Sequence, residues 1–179
     1  MLMSMLAAGG LETVADGIRA ADDDNPNGYH ELERVKGLDK AGDTSWLNDA
    51  HGKCLKVISF LLQHLPSSHH YKIVFVRRNL QEVLASQRKM LERRGESGGD
   101  ADDEALAQMF AAHVTKTERQ LAARPNCEVL YVEHRAALDS PRAVATQVNG
   151  FLGDRLDVDK MTAVVDRQLY RNRVPGIGP

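Results

Sequence analysis

The sequence predicts an α/β protein built on a parallel sheet covered by helices on both faces, a three-layer α/β/α arrangement. Two observations carry this. Short apolar runs rich in β-branched residues recur near Leu11, Cys54, Ile73 and Val129. Between and after them lie stretches whose apolar residues return at helical spacing, and strands that alternate with helices argue a parallel sheet.

The clearest unit is Tyr71–Gly95. Ile73-Val74-Phe75-Val76 suits a buried strand. Arg77 and Arg78 follow at once. Asn79 then sits where a helix cap belongs, ahead of a face formed by Leu80, Val83, Leu84, Met90 and Leu91, and Gly95 stops the helix. In a parallel sheet the turn after a strand lies where ligands bind. Arginines there, beside a helix N-terminus, make an anion site; the competing reading is two solvated surface charges.

The rest of the chain supports the same class. Met1–Ala8 is apolar and helix-forming, and Gly9-Gly10 ends it. Leu11–Val14 is a short strand candidate. Asp22–Gly28 is an acidic turn, read as solvated because it lacks a calcium-loop pattern. A short helix is expected from Tyr29 to Val35, and irregular chain around Trp46. Cys54–Ser59 is a second buried-strand candidate, with Lys56 inside it. His64, His69 and His70 lack supporting metal ligands and read as solvated loop residues. After an acidic loop at Glu96–Asp103, Glu104–Ala123 is an amphipathic helix with Leu106, Met109, Phe110, Val114 and Leu121 inward. Arg124-Pro125-Asn126 stops it, and Glu128–Val132 is a strand. Ser140-Pro141 opens a helix to Leu152, and Asp157–Val165 is one more. Residues 1–174 make one domain, and 175–179 are expected to be a disordered tail.

The totals exclude several classes. With 179 residues the chain is long enough for a sizeable core. A formal net charge of -2 disfavours a general nucleic-acid binder. No apolar run is long enough to span a bilayer, and the opening residues lack a basic lead, so cytoplasm is expected. The two cysteines, Cys54 and Cys127, are far apart and read as buried thiols in a reducing compartment.

The order of motifs resembles the sulfotransferases that use 3'-phosphoadenosine 5'-phosphosulfate (PAPS), especially their bacterial branch. The likeness runs from Met1 to about Arg173. Its most specific part is Arg78-Asn79 with Ser86 eight residues after the arginine. In that family an arginine at a strand end and a serine at this spacing hold the 3'-phosphate of the nucleotide. Leu80 stands where the family often has proline. The alternative for Ser86 is a helix-surface hydroxyl bonded to its own backbone. Asn25-Pro26-Asn27-Gly28-Tyr29-His30-Glu31 is similar to a family segment near the acceptor site. There a glutamate is the candidate general base, which implies Glu31, with Glu33 as competitor. Lys56 resembles a lysine that stabilises charge on the bridging oxygen; otherwise it snorkels to water. Arg171 and Arg173 resemble, more loosely, a basic tail closing over the nucleotide.

One departure stands against these matches. The family's first strand and its glycine- and serine-containing 5'-phosphosulfate loop have no counterpart here. Met1–Gly10 looks like the helix that follows them. The resemblance therefore implies a P-loop nucleotide-binding-like fold lacking its first strand and loop, from a start assigned too late or a truncated descendant. It implies PAPS as co-substrate, no metal, and a small-molecule, saccharide or peptide acceptor with a hydroxyl or amine. No nucleic acid or membrane partner is expected, while an open sheet edge leaves room for a homo-oligomer. The competing functions are a catalytically inactive remnant acting as a weak nucleotide-binding or interaction module, and a small-molecule P-loop kinase. The kinase reading lacks a strand ending in a suitable aspartate.

Overall fold

The structure, a computed structural model, describes residues 1–19, 28–40, 42–84 and 103–166. Strand β1 (Tyr71–Arg77) lies parallel to β2 (Cys127–Glu133), in register from Tyr71 opposite Cys127 to Arg77 opposite Glu133. The runs at Ile73 and Val129 thus form strands of one parallel sheet, and the α/β class holds. Helix α1 (Leu2–Ala8) opens the chain. Helix α2 begins at residue 80 and is described to residue 84. Helices α3 (Asp103–Ala122), α4 (His134–Asp139), α5 (Pro141–Phe151) and α6 (Val158–Ala163) follow. Among the described residues, three 3-10 segments lie between α1 and β1, at Glu33–Gly37, Ser45–Ala50 and Ser59–His64.

Local chemistry sets several boundaries. Gly10 adopts φ 98, a left-handed conformation that suits glycine, just after α1. The Asn79 side chain accepts a hydrogen bond from Gln81 N at 2.9 Å, capping α2 as its position predicts. The Asp157 side chain does the same for Lys160 N at the start of α6, at 3.0 Å. Ser140 precedes Pro141 of α5 but makes no side-chain cap. Its N–H instead bonds Ala136 O, because α4, an element the sequence reading did not anticipate, ends on the same residue.

Two of the four expected strands are corrected. Leu11–Val14 and Cys54–Ser59 meet only in an isolated parallel bridge, Thr13 with Cys54. Residues 55–58 form no ladder with the described residues, and Ser59 turns into a 3-10 segment. An apolar run becomes a strand only where a neighbour accepts its backbone bonds. The helix expected over Tyr29–Val35 is also displaced. His30 sits at φ 48, outside helical space, and Asp16 accepts Glu33 N at 2.5 Å, so the 3-10 turn starts at Glu33. Met109, expected inward, is 58% exposed.

Alternation along the strands divides the core. Val74, Leu130 and Val132 pack with Met5, Leu6, Ala145, Val148 and Met161 of the surrounding helices. Ile73, Phe75, Val129 and Tyr131 pack with Leu121 of α3 and with Leu61 and Leu62 of a 3-10 segment. Apolar clusters therefore lie against both faces of the pair.

Two contacts hold these layers. The backbone of Gly9 lies against α6, and a Cβ there would stand 2.7 Å from Met161 Cγ and 3.3 Å from Leu156 Cβ. Gly9 itself has φ -71, so an alanine meets crowding rather than backbone strain. We expect Gly9→Ala to destabilise the chain by about 1–3 kcal/mol, read as a lower melting temperature. On the other face, Arg124 donates to Leu62 O at 3.1 Å and Leu65 O at 2.6 Å, closing the Ser59–His64 segment from the end of α3. Arg124→Ala removes two charge-assisted hydrogen bonds and is expected to cost about 2 kcal/mol in urea denaturation. Among the described residues no helix is long and apolar enough to cross a membrane.

Candidate functional site

Two runs within the stretches that the sequence marks as strands, Cys54–Val57 and Tyr71–Arg77, line one cavity of about 1450 Å³. Residues from α1, the start of α2, α3 and the turn after β2 complete its wall. Among the described residues its charged lining is seven lysines and arginines against two glutamates, Glu82 and Glu133. The balance favours an anionic ligand although the whole chain is slightly acidic.

Arg78 follows β1 directly and precedes the capped start of α2. Its side chain is 29% exposed, and Nε stands 3.5 Å from Glu82 Oε2, one helical turn on. That Nε is buried and has no hydrogen-bond acceptor among the described residues. Glu82 is nearly buried, with an 8% exposed side chain. His134 follows β2 as Arg78 follows β1, and also lines the cavity. Burial first, then the Arg78 charge, pushes the His134 imidazole down to about 4, with Glu82 opposing. Strand ends bring these three groups together. The signal for His134 was its place immediately after a strand; the signal for Glu82 was its spacing of four from Arg78.

Arg77 is spoken for. It donates to Glu118 Oε1 of α3 at 2.8 Å, and its guanidinium lies 4.2 Å over the Tyr131 ring. Of the adjacent arginines, Arg77 ties the sheet to α3 and Arg78 stands at the anion-favouring turn, paired with Glu82.

Lys56 and Glu31, far apart in sequence, meet. Lys56 Nζ donates to Glu31 Oε1 and to Tyr29 O, each at 3.1 Å. Arg19 reaches the same carboxylate oxygen at 3.4 Å and stacks 3.3 Å over the Tyr29 ring. Lys56 lines the cavity, whereas Glu31 stands behind it and is not part of the wall. Glu33 turns elsewhere and pairs with Lys36 at 2.7 Å. His30, beside Glu31, lies 3.5 Å from Ser4 Oγ, and burial followed by positive neighbours lowers its pKa. The remaining expected site residues, Ser86, Arg171 and Arg173, lie outside the described residues, as does the expected tail at 175–179.

The cysteines are free, and burial raises both thiol pKas, that of Cys54 to about 11. A thiol so shifted is poorly suited to act as a nucleophile near neutral pH. Among the described residues no group of three or more histidine, cysteine, aspartate or glutamate side chains is placed to hold a metal ion. His69 bonds Asn48 Oδ1 at 3.1 Å, which gives that loop histidine a structural partner. No family model, curated protein or solved structure matches the chain.

Proposed function

We propose that the chain is a sulfotransferase domain that binds PAPS and passes its sulfonate to a hydroxyl or amine acceptor. The observation that carries the reading is Arg78. A buried guanidinium Nε, 3.5 Å from Glu82 Oε2, has no hydrogen-bond acceptor among the described residues at the carboxyl end of a parallel strand, beside a capped helix N-terminus, in a basic cavity. A phosphate oxygen supplies the hydrogen-bond acceptor that this Nε lacks among the described residues.

In this scheme Arg78 and Ser86 hold the 3'-phosphate, and Arg171 and Arg173 close over the nucleotide. PAPS supplies an activated sulfonate with a good leaving group. Lys56, on the cavity wall, holds its ammonium toward charge that develops on the bridging oxygen. Glu31, 3.1 Å from Lys56 but behind the cavity wall, orients the ammonium, and the acceptor's proton is released to water. The acceptor oxygen or nitrogen bonds to sulfur as the bond from sulfur to the leaving 5'-phosphate oxygen breaks. The finer fold that goes with this reading is a three-layer, P-loop-like domain. The acceptor is a small molecule, a saccharide or a peptide.

The test compares 3'-phosphoadenosine 5'-phosphate with AMP, which lacks the 3'-phosphate, by thermal stabilisation of the 179-residue chain. We expect the first to raise the melting temperature and the second not to. The shift should disappear in the Arg78→Ala/Glu82→Gln double variant, which removes the guanidinium without leaving the nearly buried Glu82 carboxylate behind. Equal shifts from both nucleotides, or a shift that survives the double variant, overturn the assignment. Selective binding with no transfer to any acceptor would instead favour the non-catalytic nucleotide-binding module.

A further inference from the structure

The cavity wall carries a pair of side chains that the PAPS scheme does not use. Ser59 opens the Ser59–His64 segment, and His113 lies in α3, 54 residues on. Both line the cavity, and both are half-buried. Ser59 Oγ stands 3.0 Å from His113 Nε2. The Phe60 ring lies flat against the imidazole, with centroids 3.6 Å apart and planes 10° apart. Thr117, one helical turn on and 3% exposed, brings its Oγ1 to 3.4 Å from the same Nε2. A ring stacked on one face and met by two hydroxyls at one nitrogen is locked in its orientation. Burial, then the Lys116 charge, lowers the His113 pKa. The imidazole is therefore neutral near pH 7, and with its proton on Nδ1 it leaves Nε2 to accept from Ser59. A serine hydroxyl within hydrogen-bond reach of a neutral imidazole, at the edge of a cavity, is the arrangement of an activated nucleophile. The wall beside it, formed by Val57, Phe60, Phe110 and Val114, is apolar, and Phe60 is 48% exposed despite its stack on the imidazole.

We propose that Ser59 and His113 form a nucleophile–base dyad that cleaves carboxylic esters with an apolar acyl group. Ser59 Oγ bonds to the ester carbonyl carbon as its proton passes to His113 Nε2. The bond from that carbon to the alcohol oxygen breaks, and His113 returns the proton to the departing oxygen. Water then attacks the acyl-serine. His113 takes one proton from that water and gives it to Ser59 Oγ as the acyl–serine bond breaks. The acid leaves with the oxygen of the water, so ester and water give acid and alcohol. The apolar wall beside Ser59 takes the acyl group, because burying it there removes apolar surface from water.

The test treats the full chain with diisopropyl fluorophosphate, which transfers its phosphoryl group to an activated serine hydroxyl with loss of fluoride, and maps the adduct by peptide mass. We expect the adduct on Ser59, together with hydrolysis of p-nitrophenyl butyrate that stops as the adduct forms. An unlabelled Ser59 overturns the dyad, whether or not other serines react. That arm needs no variant, so it decides even if a substitution prevents folding. His113→Ala should label about 100-fold or more slowly. Free imidazole, seated in the space that the variant opens beside Phe60, should restore the rate. Equal labelling of parent and variant overturns the dyad. A loss that imidazole does not restore overturns it too, because His113 is then only a contact between α3 and the Ser59–His64 segment. None of these readouts involves nucleotide, so the dyad and the PAPS reading can fail separately.

Discussion

Between pH 6.5 and about 4 the folded chain loses stability, and His134 is the principal histidine responsible. Its imidazole has an ordinary value of 6.5 and is lowered to about 4 in the fold. Burial is the main cause, followed by the Arg78 charge. The native state therefore holds His134 neutral, while an unfolded chain protonates it near 6.5. In that window the unfolded state binds more protons, so stability is full above pH 6.5, falls as the pH drops, and stops falling on this account below about 4. The shift corresponds to at most about 3 kcal/mol, and about 2 kcal/mol after allowance for the partial exposure of the ring. His30 and His113, both lowered chiefly by burial, add to the same trend. The carboxyls of Asp16, Asp43 and Asp157, held down mainly by hydrogen bonds, contribute stability that is lost only at pH below the His134 window. Urea denaturation at closely spaced pH values measures the slope, and His134→Gln should flatten it between pH 6.5 and 4. A variant profile parallel to the parent's would show that His134 titrates normally in the fold.

Met161→Ala should be among the most damaging single truncations, at about 2–5 kcal/mol. Met161 is fully buried in the same core cluster as Met5 of α1, Val148 of α5 and Leu156. It also fills the space beside Gly9, whose Cα faces it without a Cβ between. The hole left by truncation cannot close easily. Gly9 O already accepts Asp157 N at 3.0 Å, which fixes the distance between α1 and α6. For a chain of this length each kcal/mol moves the melting temperature by about 2–4 °C, so the loss should be plain in a thermal scan. Met161→Leu, close to it in volume, should recover most of the stability. If the leucine variant were as unstable as the alanine variant, flexibility of the thioether rather than filled volume would be what the site requires.

The two predictions bear on different parts of the molecule. Met161 belongs to a core whose members alternate with strand and helix periods, whereas His134 belongs to the strand-end cluster around Arg78. The first kind of residue was easier to read. Ile73–Val76 and Val129–Val132 declared themselves as strands because β-branched residues in short runs suit a pleated, buried surface. Leu121, expected inward, is 1% exposed. Asn79, Asp157, Pro141 and Gly10 marked helix boundaries through bonds and dihedrals that reach only a few residues. Met109 differs: its position on the helix satisfies the period, but among the described residues its side chain stays exposed.

The site was legible one residue at a time. The place of Arg78 after a strand, and of Lys56 within an apolar run, were visible as anomalies of charge and position. Their partners were not. Glu31 meets Lys56 only because the chain from residue 28 to residue 33 crosses beside the run at 54–57, and Glu31 ends behind the cavity wall rather than in it. The partner of Arg77 was equally hidden, since it is Glu118, 41 residues away.

By itself, then, the sequence determined the α/β class, the two strands that pair, most helix ends and the turn where charge accumulates. All of these follow from interactions between near neighbours or from a periodicity. Only the tertiary structure decided which apolar runs find a ladder partner, that Arg77 meets Glu118, and that Cys54–Val57 and β1 line one cavity. Those outcomes depend on backbone hydrogen bonds and ion pairs between segments distant in the chain, and a run of β-branched residues carries no record of whether a neighbour arrives.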